Sequence, residues 1–267
     1  MRVAVVFRLA ALAIAFGTSC GAGTTTTASA APSVPRSSIA PAASSAITVA
    51  PTPTATPAPS ASPTAAFPAA RYVAIGASDT VGVGATDPTT GSWPARIAAL
   101  LPPGSAYVNL GVSGSVAIQA KDQQLPGAIA QRPTAVTVWL AVNDMNATIQ
   151  PASYRDALGA IVDGLVARTD ARIFVGNVPD IRGVPAYKDA DKNVLLQQIT
   201  AYNEVIAAVV KSAPGRAIAV DLFTGSAALV STITVSGDGF HPSDEGYKII
   251  AERFAAAMRA NGVPLRP

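Results

Sequence analysis

One histidine in 267 residues leaves no choice of imidazole: if the chain uses one as a base near neutral pH, it is His241. Asp238 stands three residues before it, within reach, in a turn, of the imidazole Nδ1–H. That bond would fix the tautomer and leave Nε2 free to take a proton. Pro242 follows, with Asp244 and Glu245 behind it, a helix-start pattern that would hold His241 at a rigid boundary. Far upstream Ser78 sits in Gly76-Ala77-Ser78-Asp79-Thr80, and between them come Gly111 in Gly111-Val112-Ser113-Gly114 and Asn143 in Val142-Asn143-Asp144. A hydroxyl, a base, a carboxylate to orient the base and amide donors for an oxyanion are the parts that covalent acyl transfer needs.

Taken singly, each residue has a plain alternative. A histidine before proline is an ordinary helix-start residue, and Ser78, Gly111, Asn143-Asp144 and Asp238 are all common turn formers. Turn chemistry does not predict their joint placement, which depends on the elements that present them.

Apolar runs at 72–75, 106–110, 135–141, 172–175 and 217–221 read as strands. Helical stretches lie between and after them at 93–101, 123–130, 154–168, 193–211 and 243–260. Strand and helix in alternation predict an α/β domain with a five-stranded parallel sheet, covered on both faces to give three layers. Continuous apolar strands, rather than alternating ones, agree with two covered faces. In such sheets ligands sit beyond the carboxyl ends of the strands. Ser78, Gly111 and Asn143 follow the first, second and third predicted strands, and the Asp238/His241 pair follows the fifth.

Charge and composition narrow the partners. Arg2, Arg8 and Arg36 are the only charged residues before position 69, so the formal charge of +3 belongs to the N-terminal stretch and the remainder is balanced. A nucleic-acid binder carries its basic residues on the folded domain, so nucleic acid is not an expected partner. A single cysteine excludes an internal disulfide framework and, with one histidine, the Cys/His zinc sites. An all-oxygen Ca²⁺ or Mg²⁺ site remains open, although no EF-hand loop pattern supports one; no metal or cofactor is assigned.

Residues 1–20 read as an export signal, with two arginines, an apolar run at 9–16 and small residues before Cys20. An apolar core of that length suits a signal peptide rather than a membrane-spanning helix. Cys20 lies where a bacterial lipobox places its acylated cysteine, which it resembles despite Gly17 at the position usually held by Leu. Secretion with cleavage near Ala28-Ser29-Ala30 is the alternative. Residues 21–68 are almost wholly Ala, Thr, Ser and Pro, a composition that cannot build a core, and read as a disordered linker. Residues 69–267 form the expected folded domain, with the envelope of the cell as its expected location.

The four blocks together resemble the SGNH, or GDSL, hydrolase family, which supplies Ser, Gly, Asn and His in that chain order. The resemblance implies a flavodoxin-like fold, Ser78 as nucleophile, and Asp238 and His241 completing the triad. It further implies an oxyanion hole from the Ser78 and Gly111 backbone N–H groups and the Asn143 amide. Two positions depart from the pattern: Ala77 stands for the Asp usually before the nucleophile, and Ala141 for the Gly usually opening the third block. The implied activity is carboxylic-ester hydrolysis, on a small-molecule, glycan or lipid ester; separately, the protein is expected to be a monomer. Acyl transfer by the same site and a non-catalytic binding protein retaining the fold are the alternatives. An α/β-hydrolase would place its serine in Gly-x-Ser-x-Gly, which Asp79-Thr80 does not allow. No Gly-x-Gly-x-x-Gly closes the first strand, so a dinucleotide fold is not supported. Phe240, Tyr187 and the 177–195 loop are candidates for the wall of a substrate pocket, with core packing of Phe240 and solvent exposure of the loop as the alternatives.

Overall fold

A computed structural model describes residues 68–231 and 233–267. The expected export signal, Cys20 and all but the last residue of the 21–68 linker lie outside the described residues.

The elements run β1 (Arg71–Gly76), α1 (Ser78–Val81), α2 (Pro88–Gly91), α3 (Trp93–Ala98), β2 (Ala106–Asn109), α4 (Ala117–Gln123) and α5 (Leu125–Ala130). Then follow β3 (Ala135–Trp139), α6 (Val142–Asn146), α7 (Pro151–Arg168), β4 (Arg172–Gly176), α8 (Lys192–Ser212), β5 (Ala217–Val220) and α9 (Asp244–Ala260). The five strands form one parallel sheet in the order β2-β1-β3-β4-β5. The chain steps outward from β1 to β2, then crosses back to place β3 on the other side of β1. That reversal opens a crevice at the carboxyl ends of β1 and β3, the switch point where such folds bind ligands.

Alternate residues of each strand feed two cores. Val73, Ile75, Val136, Val138, Ile173 and Val175 join one apolar layer with Leu158, Ile161, Leu165, Ile199 and Ile206 of α7 and α8. Tyr72, Ala74 and Phe174 point the other way, into a layer with Trp93 and Ile97 of α3 and Tyr247, Phe254 and Met258 of α9. Trp93 anchors this second layer, stacked on Phe254 at 4.3 Å and edge-on to Trp139 at 6.0 Å. This is the expected three-layer α/β/α sandwich.

Two boundaries differ from the sequence expectation for reasons that bear on the site. The third strand was expected to reach residue 141, but it stops at Trp139 because Ala141 adopts φ 92°, ψ −43°. A positive φ at a residue with a Cβ breaks an extended strand. The helix expected over 123–130 is α5, which starts at Leu125, and an unexpected helix, α4, precedes it; the two part at Gln124, whose buried side chain accepts from Gly76 N–H and donates to the Gly76 carbonyl, both at 2.9 Å. Gly76 itself has no room for a side chain: a Cβ there would lie 1.9 Å from Thr80 Oγ1 and 2.8 Å from the Trp139 carbonyl oxygen.

Candidate active site

Ser78 begins the short turn of helix that leaves β1, and its side chain is buried to 7% exposure. His241 stands on the loop that precedes α9. A bridge between Val235 and Pro242, and a Ser236 N–H bond to the His241 carbonyl at 2.8 Å, fold residues 235–242 back on themselves. Ser243 caps α9 by accepting from Gly246 N–H, so the histidine is pinned between a closed turn and a helix start.

The turn is organised around the Asp238 carboxylate. Its Oδ1 accepts from Ser236 Oγ at 2.7 Å, Phe240 N–H at 2.8 Å and His241 N–H at 2.9 Å. Its Oδ2 lies 2.6 Å from His241 Nδ1, and His241 Nε2 lies 2.9 Å from Ser78 Oγ. Partial burial works to raise the Asp238 pKa, but the bonds from His241, Phe240 and Ser236 together hold it well below the usual carboxylate range. An ionised Asp238 requires the proton on Nδ1, which leaves Nε2 as an acceptor toward the Ser78 hydroxyl. Three residues expected from sequence to act together are therefore in contact.

Asn143 lies at the start of α6, beyond the end of β3. Its amide Nδ2 donates to the Ser115 carbonyl at 3.0 Å, which spends one N–H and leaves the second available. Beside it the buried Asp144 accepts from Ala117 N–H through both oxygens at 3.1 Å. Neighbouring residues of α6 thus hold both the loop before α4 and its first turn. Burial pushes the Asp144 carboxyl up to about 6, with the Ala117 N–H working the other way.

Gly111 needs correction. Its N–H donates to Asn109 Oδ1 at 2.9 Å, while Asn109 Nδ2 donates to the Thr80 carbonyl at 2.7 Å. The Gly111 N–H is therefore committed to stapling the second block onto α1, and is not available to an oxyanion. Three residues on, Gly114 has φ 79°, and its N–H makes no hydrogen bond among the described residues. Gly114 adjoins Ser115, whose carbonyl holds Asn143, so its N–H replaces that of Gly111 as the candidate donor from this block. The Ser78 N–H is likewise without a partner among the described residues. Two groups behind the site gave no sequence signal of their role: Gln124, which also donates to Ser115 Oγ at 3.2 Å, and the Asn109 staple.

A cavity of about 130 Å³ with largely apolar walls reaches Asp79 and Phe240, the chain neighbours of Ser78 and His241. Asp79, Val142, Ile181, Val184, Tyr187 and Phe240 are among its lining residues, so Phe240, Tyr187 and part of the 177–195 loop do form a pocket wall. Phe240 also meets the His241 ring edge-on at 4.7 Å. Tyr187 is held by its hydroxyl on Asn146 Oδ1 at 2.9 Å, and burial pushes its phenol up to about 12. Among the described residues no group of three or more His, Cys, Asp or Glu side chains is arranged to hold a metal ion.

The family model described as "GDSL-like Lipase/Acylhydrolase family" matches residues 74–249, which spans all four blocks. The chain belongs to the GDSL-like lipase/acylhydrolase family. By that membership it is a carboxylic-ester hydrolase. Solved structures share the GDSL fold. TesA is 21% identical, with 72% of this chain and 99% of that one covered at a TM-score of 0.57. The psychrotrophic esterase EstA from Pseudoalteromonas sp. is 15% identical, covering 72% and 97% at 0.56. The acetylxylan esterase Axe2 from Geobacillus stearothermophilus is 19% identical, covering 73% and 95% at 0.58. No curated protein matches the sequence. In this GDSL chain Ala141 occupies the family's usual glycine position, and its φ of 92° supplies the reason glycine is usual there.

Proposed function

We propose that this GDSL hydrolase cleaves its esters through Ser78, His241 and Asp238, with Ser78 N–H, Gly114 N–H and Asn143 Nδ2 receiving the oxyanion. The observation that carries this is the unbroken contact from Asp238 Oδ2 through the imidazole to Ser78 Oγ. Ser78 Oγ attacks the acyl carbon as its proton passes to His241 Nε2. The carbonyl oxygen gains the electron pair and is met by the three N–H donors. The pair then returns, the C–O bond to the alcohol breaks, and the imidazolium protonates the departing alkoxide. Water repeats the sequence on the acyl-serine, releasing the acid and restoring the hydroxyl. Asp238 steadies the imidazolium without taking its proton.

Under the same proposal the domain works outside the cytoplasm as a monomer, tethered through acylated Cys20 and the 21–68 linker. The lone cysteine behind an apolar run of export-signal length supports this. Retention of a Cys20→Ser variant in the membrane fraction would overturn the tether. Release of p-nitrophenol from p-nitrophenyl acetate by the wild type, and its loss in Ser78→Ala, tests the hydrolytic site. Equal rates in both proteins would overturn it. Running the assay with added alcohols separates water from a hydroxyl acceptor by the product formed.

A further inference from the structure

The proposed mechanism leaves one acid at the site unused. Asp79 follows Ser78 directly and lines the cavity. Among the described residues its carboxylate accepts no hydrogen bond from another residue. Among the described residues the only other charged one on the lining is Arg253, and its guanidinium is occupied by the carbonyls of Asp221 at 3.0 Å and Thr224 at 2.9 Å. A carboxylate on a residue that lines a largely apolar cavity, with no ion-pair partner, is costly to keep ionised. A ligand that brings a positive charge removes that cost.

The other polar groups of the cavity say what kind of ligand this is. Tyr187 donates to Asn146, Ser226 Oγ donates to the Phe223 carbonyl at 2.7 Å and accepts from Asp180 N–H, and Thr234 Oγ1 donates to the Leu229 carbonyl at 2.6 Å. With those hydroxyls engaged, a polyol seated here would leave most of its own hydroxyls unpaired. An apolar body carrying one cation has no such penalty. Tyr187 and Phe240, with ring centroids 6.1 Å apart, add π faces that attract a cation.

We propose that Asp79 is a specificity-determining residue, its carboxylate selecting esters that carry an ammonium group in the portion seated in the cavity. This rests on the hydrolase reading above. The ionisable groups that act on Asp79 are His241 and Asp238, and it acts in turn on the phenols of Tyr187 and Tyr247. Burial raises the Asp79 pKa above the usual carboxylate value, with His241 opposing.

The test compares butyrylcholine with its uncharged carbon isostere, 3,3-dimethylbutyl butyrate, in low-salt buffer at pH 8. Wild type and Asp79→Asn are assayed, with circular dichroism to establish that both are folded. Wild type favours the cationic ester in kcat/KM by about tenfold, and Asp79→Asn brings the ratio to about one. The ratio is insensitive to any loss common to both esters. In the wild type alone the ratio falls as the pH is lowered and Asp79 takes up a proton, because the quaternary ammonium does not titrate. A ratio near one in the wild type, or the same ratio in Asp79→Asn, would overturn the inference. If p-nitrophenyl acetate is cleaved by Ser78 in that case, the hydrolase reading survives and the role of Asp79 alone fails. If folded wild type cleaves none of the three esters, the hydrolase reading fails and this inference falls with it.

Discussion

The Ser115 carbonyl accepts the Asn143 side-chain amide at 3.0 Å, so the loop after β2 sets the direction in which the residue after β3 points. One N–H of Asn143 is spent on orientation and the other has no partner among the described residues, so under the proposed function it meets a developing oxyanion without reorganisation. Asn143→Ala is expected to lower kcat by about 10²–10³ with little change in KM, the pattern of a contact made chiefly in the transition state. Steady-state kinetics on p-nitrophenyl acetate check it, and a variant that changes KM alone would show Asn143 to be a ground-state binding group.

Asp238→Asn is a sharper substitution than its size suggests. Oδ1 accepts three hydrogen bonds from Ser236, Phe240 and His241, so the asparagine must keep its oxygen there and turn its NH₂ toward His241 Nδ1. An N–H in that place forces the proton onto Nε2, the wrong tautomer for accepting from Ser78. The variant is expected to fold normally and lose about 10⁴ in kcat at pH 7. Near-wild-type turnover in a folded Asp238→Asn protein would show that this carboxylate does not set the tautomer.

These parts were unequally legible in the sequence. Ser78, Asn143, Asp238 and His241 carry distinctive functional groups, and their order beyond the first, third and fifth strands was readable from the apolar runs alone. The candidate oxyanion donor of the second block was not, because a backbone N–H has no residue signature: Gly111 and Gly114 look alike until the Asn109 side chain is seen to occupy one of them. The Gly in Ser113-Gly114 was the available hint, since a serine-glycine pair suits a turn with positive φ. Gln124 was hidden for a related reason: its buried amide serves Gly76, forty-eight residues away in the chain, a contact no local pattern announces. The strand expected to reach residue 141 failed at Ala141, whose composition is that of a strand or helix while its φ is that of a turn.

Ala141 is fully buried as well as left-handed in φ. Ala141→Val is expected to cost about 3 kcal/mol or more, since a β-branched residue at positive φ is strained and the site is packed. Ala141→Gly is expected to stay within about 1 kcal/mol of wild type. Relief of about 1–3 kcal/mol of strain offsets a lost buried methyl of about 0.8 kcal/mol and the added chain entropy of glycine, about 0.5–1 kcal/mol. Urea denaturation of both variants checks the pair, and a well-tolerated valine would mean that the backbone relaxes to negative φ.

Asp144 makes stability depend on pH with an unusual sign. Burial raises its carboxyl from 3.8 to about 6, so between those values the folded chain binds more protons than the unfolded one. Its contribution to stability therefore falls as the pH rises through that window. Asp144→Asn removes the buried charge and keeps an oxygen for Ala117 N–H. Relative to wild type, the variant is expected to gain stability progressively from about pH 4 to pH 7. Thermal melts across that range check it; a difference that is flat with pH would mean that Asp144 titrates alike in both states.

The most direct measurement is the intact mass of the protein after treatment with a fluorophosphonate, beside Ser78→Ala. An activated Ser78 oxygen displaces fluoride and adds one phosphonyl group. The contact of Ser78 Oγ with His241 Nε2 predicts a single adduct that maps to Ser78 and is absent from the variant. A folded wild-type protein that takes up no reagent, or takes it up at another serine, would contradict Ser78 as the nucleophile.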